Sequence, residues 1–130
     1  MTNRGGKPTI VFIDYPPSDS SNEKVGERVL QILEECYIAE VFPFFPHFLQ
    51  EYWKSKEKEG EEKMILFIAE CFSRGLIDEL WLYGEKFPDR MKFLVDLALK
   101  HKVKKIVGKT QKIQILIDTY VVEKEEGDDE

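Results

Sequence analysis

Thr9-Ile10-Val11-Phe12-Ile13 is a short, continuous apolar run that is rich in β-branched residues. A run of this kind is typical of a β-strand that is covered on both faces. Residues 14–21 follow with two prolines and several side chains that can bond nearby backbone, which predicts a turn at the carboxyl end of the strand. Ser20 and Glu23 then have the spacing of a capping box. The segment therefore predicts a strand, a loop and a helix in that order.

The alternation of strand and helix continues along the chain. Further strands are predicted at residues 38–42, where Pro43 ends the run, and at 78–83 and 103–107. Apolar residues at helical spacing fill the intervals, with helix starts at Pro46 and Pro88 and a helix end at Gly75. Strands and helices that alternate form right-handed crossovers and place helices on both faces of a parallel sheet. The pattern predicts a three-layer α/β/α sandwich with a mostly parallel sheet of four or five strands, of the flavodoxin or Rossmann type.

Residues 113–122 fit two different structures. Their apolar residues fit helical spacing, while Ile113, Ile115 and Ile117 also alternate as in a strand. We predict a helix that packs on the sheet. Residues 123–130 are acidic and hold no apolar anchor, so we expect a flexible tail after a single α/β domain at 1–122.

The charge of the chain limits its partners. The formal net charge is -6 over 130 residues, so the surface repels phosphate backbones and a nucleic-acid duplex is not expected as a partner. Five lysines nevertheless cluster around the last predicted strand: Lys102, Lys104, Lys105, Lys109 and Lys112. They form either a solvated sheet edge or an anion site, and we favour the solvated edge.

Cysteine and histidine content gives no metal signal. Cys36 and Cys71 fall among the apolar positions of predicted helices, which indicates buried thiols. His47 and His101 are far apart and lack paired-ligand spacing, so we expect no metal site. No apolar run is long enough to span a bilayer, and the amino terminus lacks the apolar stretch of a signal peptide. We therefore expect no membrane partner and a cytoplasmic location.

The candidate site lies where the predicted strands end. Ligands of parallel sheets bind beyond the carboxyl ends of the strands, so the loops at residues 14–21, 43–47 and 84–89 converge on it. None of these loops contains GxGxxG or GxxxxGK[ST], so no dinucleotide or ATP cradle and no cofactor is expected.

The loop after the first strand offers Asp14, Ser18, Asp19 and Ser20 ahead of a helix N-terminus. The free N–H groups and the dipole of a helix N-terminus favour an anion such as a 5′ phosphate. Helix capping by the serines explains the same residues. Both interpretations remain open.

Residues 41–48 are dense in aromatic side chains where the second strand is predicted to end. A base could stack there, or the aromatics could belong to the core or to a subunit contact. His47 could donate a hydrogen bond to a sugar or phosphate, or it could cap the helix that starts beside it.

Two carboxylates, Glu85 and Asp89, lie in the loop after the third strand. A carboxylate can act as a nucleophile on an anomeric carbon. Asp78 begins the third strand at the end away from the loops, and Asp96 lies beside the apolar stripe of the following helix. Glu85 and Asp89 are therefore the candidate catalytic residues, with solvated surface charge as the alternative.

Several motifs together suggest a family. Pro46-His47 follows the second predicted strand, residues 78–84 read DELWLYG, and Met91 and Ala98 lie on the next helix. This pattern resembles the nucleoside 2-deoxyribosyltransferase superfamily, with its DELWxxG strand, and more closely its small relatives from viruses and bacteria. Tyr15-Pro16 stands where the family has a tyrosine-containing loop. The resemblance covers residues 8–108 and implies a nucleoside or nucleotide ligand.

One departure from the family pattern concerns catalysis. In the transferases a glutamate three residues after the helix methionine is the nucleophile, and here that position is Leu94. The resemblance therefore implies ligand binding without transferase activity.

Three functional hypotheses follow. The first is a nucleoside- or nucleotide-binding protein with Tyr15, Ser18, Asp19, His47 and Tyr83 near the ligand. The second is a protein-interaction module or homodimer that uses the aromatic surface of residues 44–53. The third is weak N-glycosidase activity through Glu85 or Asp89.

Overall fold

A computed structural model describes residues 7–15, 22–46 and 58–128. The described residues form four strands and four helices in alternation. In chain order these are β1 (Ile10–Asp14), α1 (Asn22–Ala39), β2 (Phe42–Phe44), α2 (Lys58–Ser73), β3 (Glu79–Leu82), α3 (Asp89–Lys100), β4 (Lys105–Gly108) and α4 (Gln111–Asp128). The short helix predicted after Pro46 lies outside the described residues.

All four strands are parallel and follow the order β2-β1-β3-β4. Phe12 of β1 pairs with Phe44 of β2 on one side and with Leu80 of β3 on the other. The chain moves outward from β1 to β2 and then crosses back to form β3 on the opposite side of β1. This is the flavodoxin-like order, which confirms the predicted three-layer α/β/α fold. We call the place between β1 and β3, where the chain changes direction, the switch point.

Alternating side chains of the strands point into two apolar cores. Phe12, Leu80 and Leu82 pack against α2, α3 and α4, in what we call the three-helix core. Val11, Ile13 and Trp81 pack against Ile32 and Cys36 of α1, in what we call the α1 core. Among the described helices, α2, α3 and α4 cover one face of the sheet and α1 covers the other face.

The second strand differs from the prediction of residues 38–42. Ile38 and Ala39 belong to α1, and β2 spans Phe42–Phe44 with Pro43 at its centre. Phe42 donates its N–H to the carbonyl of Thr9 at 2.8 Å, so the next position directs its nitrogen away from β1. A proline at such a position of an edge strand removes no ladder hydrogen bond. The prediction that Pro43 ends the strand is therefore wrong.

Helices α1, α2 and α3 end in the same Schellman turn. One residue just beyond the end of each helix has a positive φ. These residues are Glu40 at 58° after α1, Gly75 at 71° after α2 and Lys102 at 55° after α3. In each turn the following N–H bonds to a carbonyl five positions back, as from Val103 to Ala98 at 2.9 Å. Gly75 is confirmed as a helix end. Glu40 and Lys102 adopt a conformation that is sterically unfavourable for residues with a Cβ atom.

Lys102→Gly should raise the free energy of unfolding by about 0.5 to 1 kcal/mol, because glycine adopts positive φ without the steric cost. Urea denaturation followed by circular dichroism measures the change. Lys102→Ala is the control, since it removes the same side chain but keeps the Cβ atom. Equal stability of the glycine and alanine variants would contradict the prediction.

The ambiguous segment at residues 113–122 is helical, which confirms that prediction. Thr110 caps α4, because its hydroxyl accepts the N–H of Ile113 at 3.1 Å. The same hydroxyl donates to the carbonyl of Gly84 at 3.0 Å, so the cap also ties α4 to the turn after β3.

Helix α4 continues beyond the domain boundary predicted at residue 122. It ends at Asp128, so residues 123–128 of the predicted acidic tail are helical. Lys124 contributes to this extension, with its ammonium 3.5 Å from Asp96 and 5.7 Å from the ring centroid of Tyr120. The acidic composition of residues 123–130 does not indicate this contact between Lys124 of α4 and Asp96 of α3.

Candidate ligand-binding site

Two tyrosines meet at the switch point. Tyr15 directly follows β1, and Tyr83 directly follows β3. Their ring centroids are 6.4 Å apart and the rings are inclined by 76°, an edge-to-face contact. Both rings pack on the α1 core and are half-buried. The sequence predicts both as ligand-binding residues, and the structure places them side by side where ligands of flavodoxin-like sheets bind.

A buried ion pair lies on the other side of the switch point. Asp14, the last residue of β1, is 4% exposed. Its Oδ2 accepts hydrogen bonds from Arg90 Nε at 3.3 Å and Nη2 at 3.1 Å. Arg90 lies in the first turn of α3 with 43% of its side chain exposed. A buried carboxylate needs such a partner, so Asp14 is a paired strand residue and not part of a free anion-binding loop.

Glu35 connects α1 to the carboxyl ends of β3 and β4. Its Oε1 accepts the hydroxyl of Tyr83 at 2.9 Å, and its Oε2 pairs with the ammonium of Lys109. Burial raises the pKa of Tyr83 well above its usual value, and the hydrogen bond and charge of Glu35 raise that pKa further. Tyr83 is therefore a neutral hydroxyl donor at physiological pH.

Lys109 is turned toward the sheet. Its Nζ lies 4.1 Å from the ring centroid of Trp81, and only 20% of its side chain is exposed. The cation–π contact and the ion pair with Glu35 hold it in place. The assignment of Lys109 to the solvated lysine edge is therefore wrong. The residue follows β4 on the side of the sheet that α1 covers, and its two partners lie there.

Sequence reasoning missed Glu35 and Arg90 as site residues. Glu35 lies three positions after Ile32 and next to Cys36, so it borders the buried stripe of α1. A carboxylate at the border of a buried helix face indicates a residue that can bond to the sheet. Arg90 carries no local signal, because its partner Asp14 is 76 positions away and only the fold joins them.

The predicted catalytic carboxylates are exposed. Glu85 lies in the turn after β3, and Asp89 begins α3 with its Oδ1 3.8 Å from the ammonium of Lys92. Leu94, which the predicted resemblance aligns with the nucleophile of the transferases, is 1% exposed within the three-helix core. That position thus holds a buried apolar side chain, and the catalytic role of Glu85 and Asp89 stays a prediction.

Three predicted ligand-binding residues, Ser18, Asp19 and His47, lie outside the described residues. The aromatic segment at 44–53 is described only through Pro46. Phe44 stands edge-on to Phe12 with ring centroids 5.4 Å apart, and Phe45 packs on the α1 core. Phe44 and Phe45 therefore contribute to internal packing.

The cysteines follow the prediction. Cys36 and Cys71 are both free and buried. Burial raises the pKa of the Cys36 thiol to about 11, and the neighbouring charge of Glu35 adds to the increase. Within residues 7–15, 22–46 and 58–128, no three His, Cys, Asp or Glu side chains are grouped so that they could hold a metal ion.

Among the helices that the structure describes, none combines the length and the apolar character needed to cross a bilayer. The chain matches no family model, no curated protein and no solved structure. The resemblance to the deoxyribosyltransferase superfamily stays a prediction.

Glu35→Ala should lower the free energy of unfolding by about 1 to 2 kcal/mol, because it leaves the Tyr83 hydroxyl and the Lys109 ammonium without their common acceptor. Chemical denaturation measures the loss. Glu34→Ala is the matched control, since Glu34 is the preceding residue of the same helix and is exposed. Equal losses in the two variants would show that Glu35 does not fasten α1 to the sheet.

Proposed function

We propose that this protein binds a nucleoside or nucleotide at the switch point between β1 and β3. The observation that carries the proposal is the contact of Tyr15 with Tyr83 at this position. Ligands of flavodoxin-like sheets occupy this edge, and aromatic rings there suit a nucleobase. The resemblance of the DELWLYG run and of Tyr15-Pro16 to the deoxyribosyltransferase superfamily supports the nucleoside class.

The two tyrosines have different roles in this proposal. The hydroxyl of Tyr83 is already bonded to Glu35, so its ring mainly supplies an apolar surface and a fixed wall. Tyr15 is half-buried and stands nearly perpendicular to Tyr83. A base that stacks on an aromatic side chain gains about 1 to 3 kcal/mol, judged by alanine substitution. Tyr15 is therefore the residue whose loss should weaken binding most.

The charges around the tyrosines are balanced. Arg90 is paired with Asp14, and Lys109 is paired with Glu35. These four side chains together carry no net charge, which suits an uncharged nucleoside. If the ligand carries a phosphate, Arg90 is the better placed of these two cations, because its side chain is more exposed than that of Lys109.

We propose binding without transferase chemistry of the family type. The nucleophile position is Leu94, and its burial in the three-helix core leaves no carboxylate there. Weak hydrolysis through Glu85 or Asp89 is the enzymatic alternative, and release of free base from a bound nucleoside is its measure.

Tyr15→Ala should weaken the binding of a nucleoside or nucleoside 5′-monophosphate by about tenfold or more, because the stacking surface is lost. Isothermal titration calorimetry against a panel of both ligand classes gives the dissociation constants. Tyr37→Ala is the matched control and should leave binding unchanged, because Tyr37 is exposed on the outer side of α1.

Two results would contradict the proposed function. One is the absence of binding heat and of thermal stabilisation by every member of the panel at millimolar concentration. The other is binding that Tyr15→Ala and Tyr37→Ala affect equally, because the ligand would then occupy a different place.

As a second candidate function we propose a homodimer. It is supported by large apolar side chains on the outer side of α1: Leu30, Tyr37 and Ile38 are 67%, 79% and 71% exposed. Apolar side chains gathered at one surface are typical of a protein contact. This surface replaces residues 44–46 as the described part of the interaction module, because Phe44 and Phe45 pack internally.

Sedimentation equilibrium should give the mass of two chains for the wild type and of one chain for the double variant Leu30→Glu, Ile38→Glu, because charges in the contact oppose association. A double variant with Glu27→Gln and Glu34→Gln, on the same helix, should stay dimeric. A wild type with the mass of one chain at about 100 μM would contradict the homodimer, since stable interfaces bind more tightly than this.

A further inference from the structure

The outer edge of the sheet at β4 carries unneutralised positive charge. β4 is the last strand in the order, so one of its edges lies without a strand neighbour in the described sheet. Lys102, Lys104, Lys105 and Lys112 lie around it, and all four are exposed. Within the described residues, none of these four lysines forms an ion pair. A chain of net charge -6 thus concentrates free positive charge at one place.

An apolar groove opens beside the start of β4, with a volume of about 470 Å³. Its apolar lining comes from α3, β4 and α4 and from the turn before β4: Leu99, Val103, Ile106, Ile117, Val121 and Val122. Lys104 and Asp118 are its charged lining residues. The groove lies toward the amino end of β4, whereas the two tyrosines lie at the carboxyl ends of the strands. It is therefore separate from the proposed nucleoside site.

The lysines favour one kind of occupant. A second copy of the chain that added its own β4 would bring the same cluster of lysines to this edge, and like charges on paired strands are destabilising. A strand that carries carboxylates would meet opposite charge instead. Charge complementarity of this kind steers association and suppresses wrong partners.

We propose that the β4 edge and its groove dock an extended acidic segment of another protein, in which Glu or Asp alternates with apolar residues. The main chain of the segment continues the sheet beside residues 105–107 of β4, as in other cases of strand addition, because the N–H of Gly108 is already bonded to Gln114 Oε1 at 2.7 Å. Side chains of a strand alternate between faces, so its apolar residues face the groove side. Its carboxylates then lie on the side of Lys105, which points to the opposite face from Ile106 and stands in register with Glu79 of β3 without an ion pair to it.

The proposal is tested with a fluorescein-labelled peptide, Glu-Val-Glu-Val-Glu-Val-Glu, and the full chain at low ionic strength. Fluorescence anisotropy should show saturable binding that falls as salt is added. The double variant Lys104→Glu, Lys105→Glu should lose affinity for the peptide by about tenfold or more. The control Lys63→Glu, Lys86→Glu has the same net charge, alters exposed lysines away from β4, and should bind like the wild type.

A third variant tests the groove separately from the charge. Val122→Asp should also weaken binding, because it places a carboxylate in the groove lining. Val122 is half-exposed, so the substitution should leave the fold intact, which circular dichroism verifies. Binding unchanged by Val122→Asp would remove the groove from the proposal.

The remaining outcomes are also decisive. The absence of peptide binding at millimolar concentration would overturn the proposal, because strand addition depends on the main chain and on alternation more than on one side chain. Equal affinity for Lys-Val-Lys-Val-Lys-Val-Lys would overturn it as well. Equal loss in the two double variants would show only a response to net charge, and binding of phosphatidylserine vesicles without peptide binding would assign the lysines to a membrane surface.

Discussion

Burial of β1 on both faces is the constraint on which the rest of the structure depends. Val11, Phe12 and Ile13 are almost fully buried, because β1 lies between two strands and between two helical layers. Such a strand tolerates only apolar side chains or paired polar ones. Asp14 is the polar exception, and the ion pair with Arg90 makes its burial possible. The burial of Asp14 in β1 therefore requires a cation, Arg90, in the first turn of α3.

The same constraint shapes the carboxyl edge. Successive residues of a strand point to opposite faces, so Asp14 is directed toward the layer of α3 and Tyr15 toward the layer of α1. On each side one ion pair joins a helix to the sheet: Asp14 with Arg90, and Lys109 with Glu35. The walls of the candidate site are thereby fixed before a ligand arrives. A preorganised site loses less conformational entropy on binding.

Apolar patterns in the sequence predict much of the fold, because the spacing of apolar residues in a strand or helix reflects which of its faces is buried. The strands β1, β3 and β4 and the helix α4 are predicted from their apolar patterns. Each predicted start lies within two residues of the start in the structure. The strand β2 was predicted too early in the chain, because Pro43 was taken as its end, whereas an edge strand accepts a proline. The end of α1 was obscured for a related reason: Glu40 adopts positive φ without being glycine.

The candidate site was only partly predictable. Tyr15 and Tyr83 could be placed from the rule that strand ends converge. Arg90, Glu35 and Lys109 could not, because their partners lie on other elements and the pairing depends on strand order and register. Lys109 shows the difficulty: the nearest lysines in sequence, Lys105 and Lys112, are exposed, whereas its own contacts in the fold are Trp81 and Glu35.

The central position of β1 also affects how the chain folds during synthesis. The N–H of Ile10 bonds to the carboxylate of Asp78, 68 positions later, so the contact between β1 and β3 closes a long loop. While the chain emerges from the ribosome, β1 first meets β2, and its other edge stays open until β3 has been made. The most apolar strand is therefore the one that waits longest for its second neighbour. A pause in translation before residue 79 would leave that edge exposed to other nascent chains, which makes this interval the period of greatest risk of aggregation.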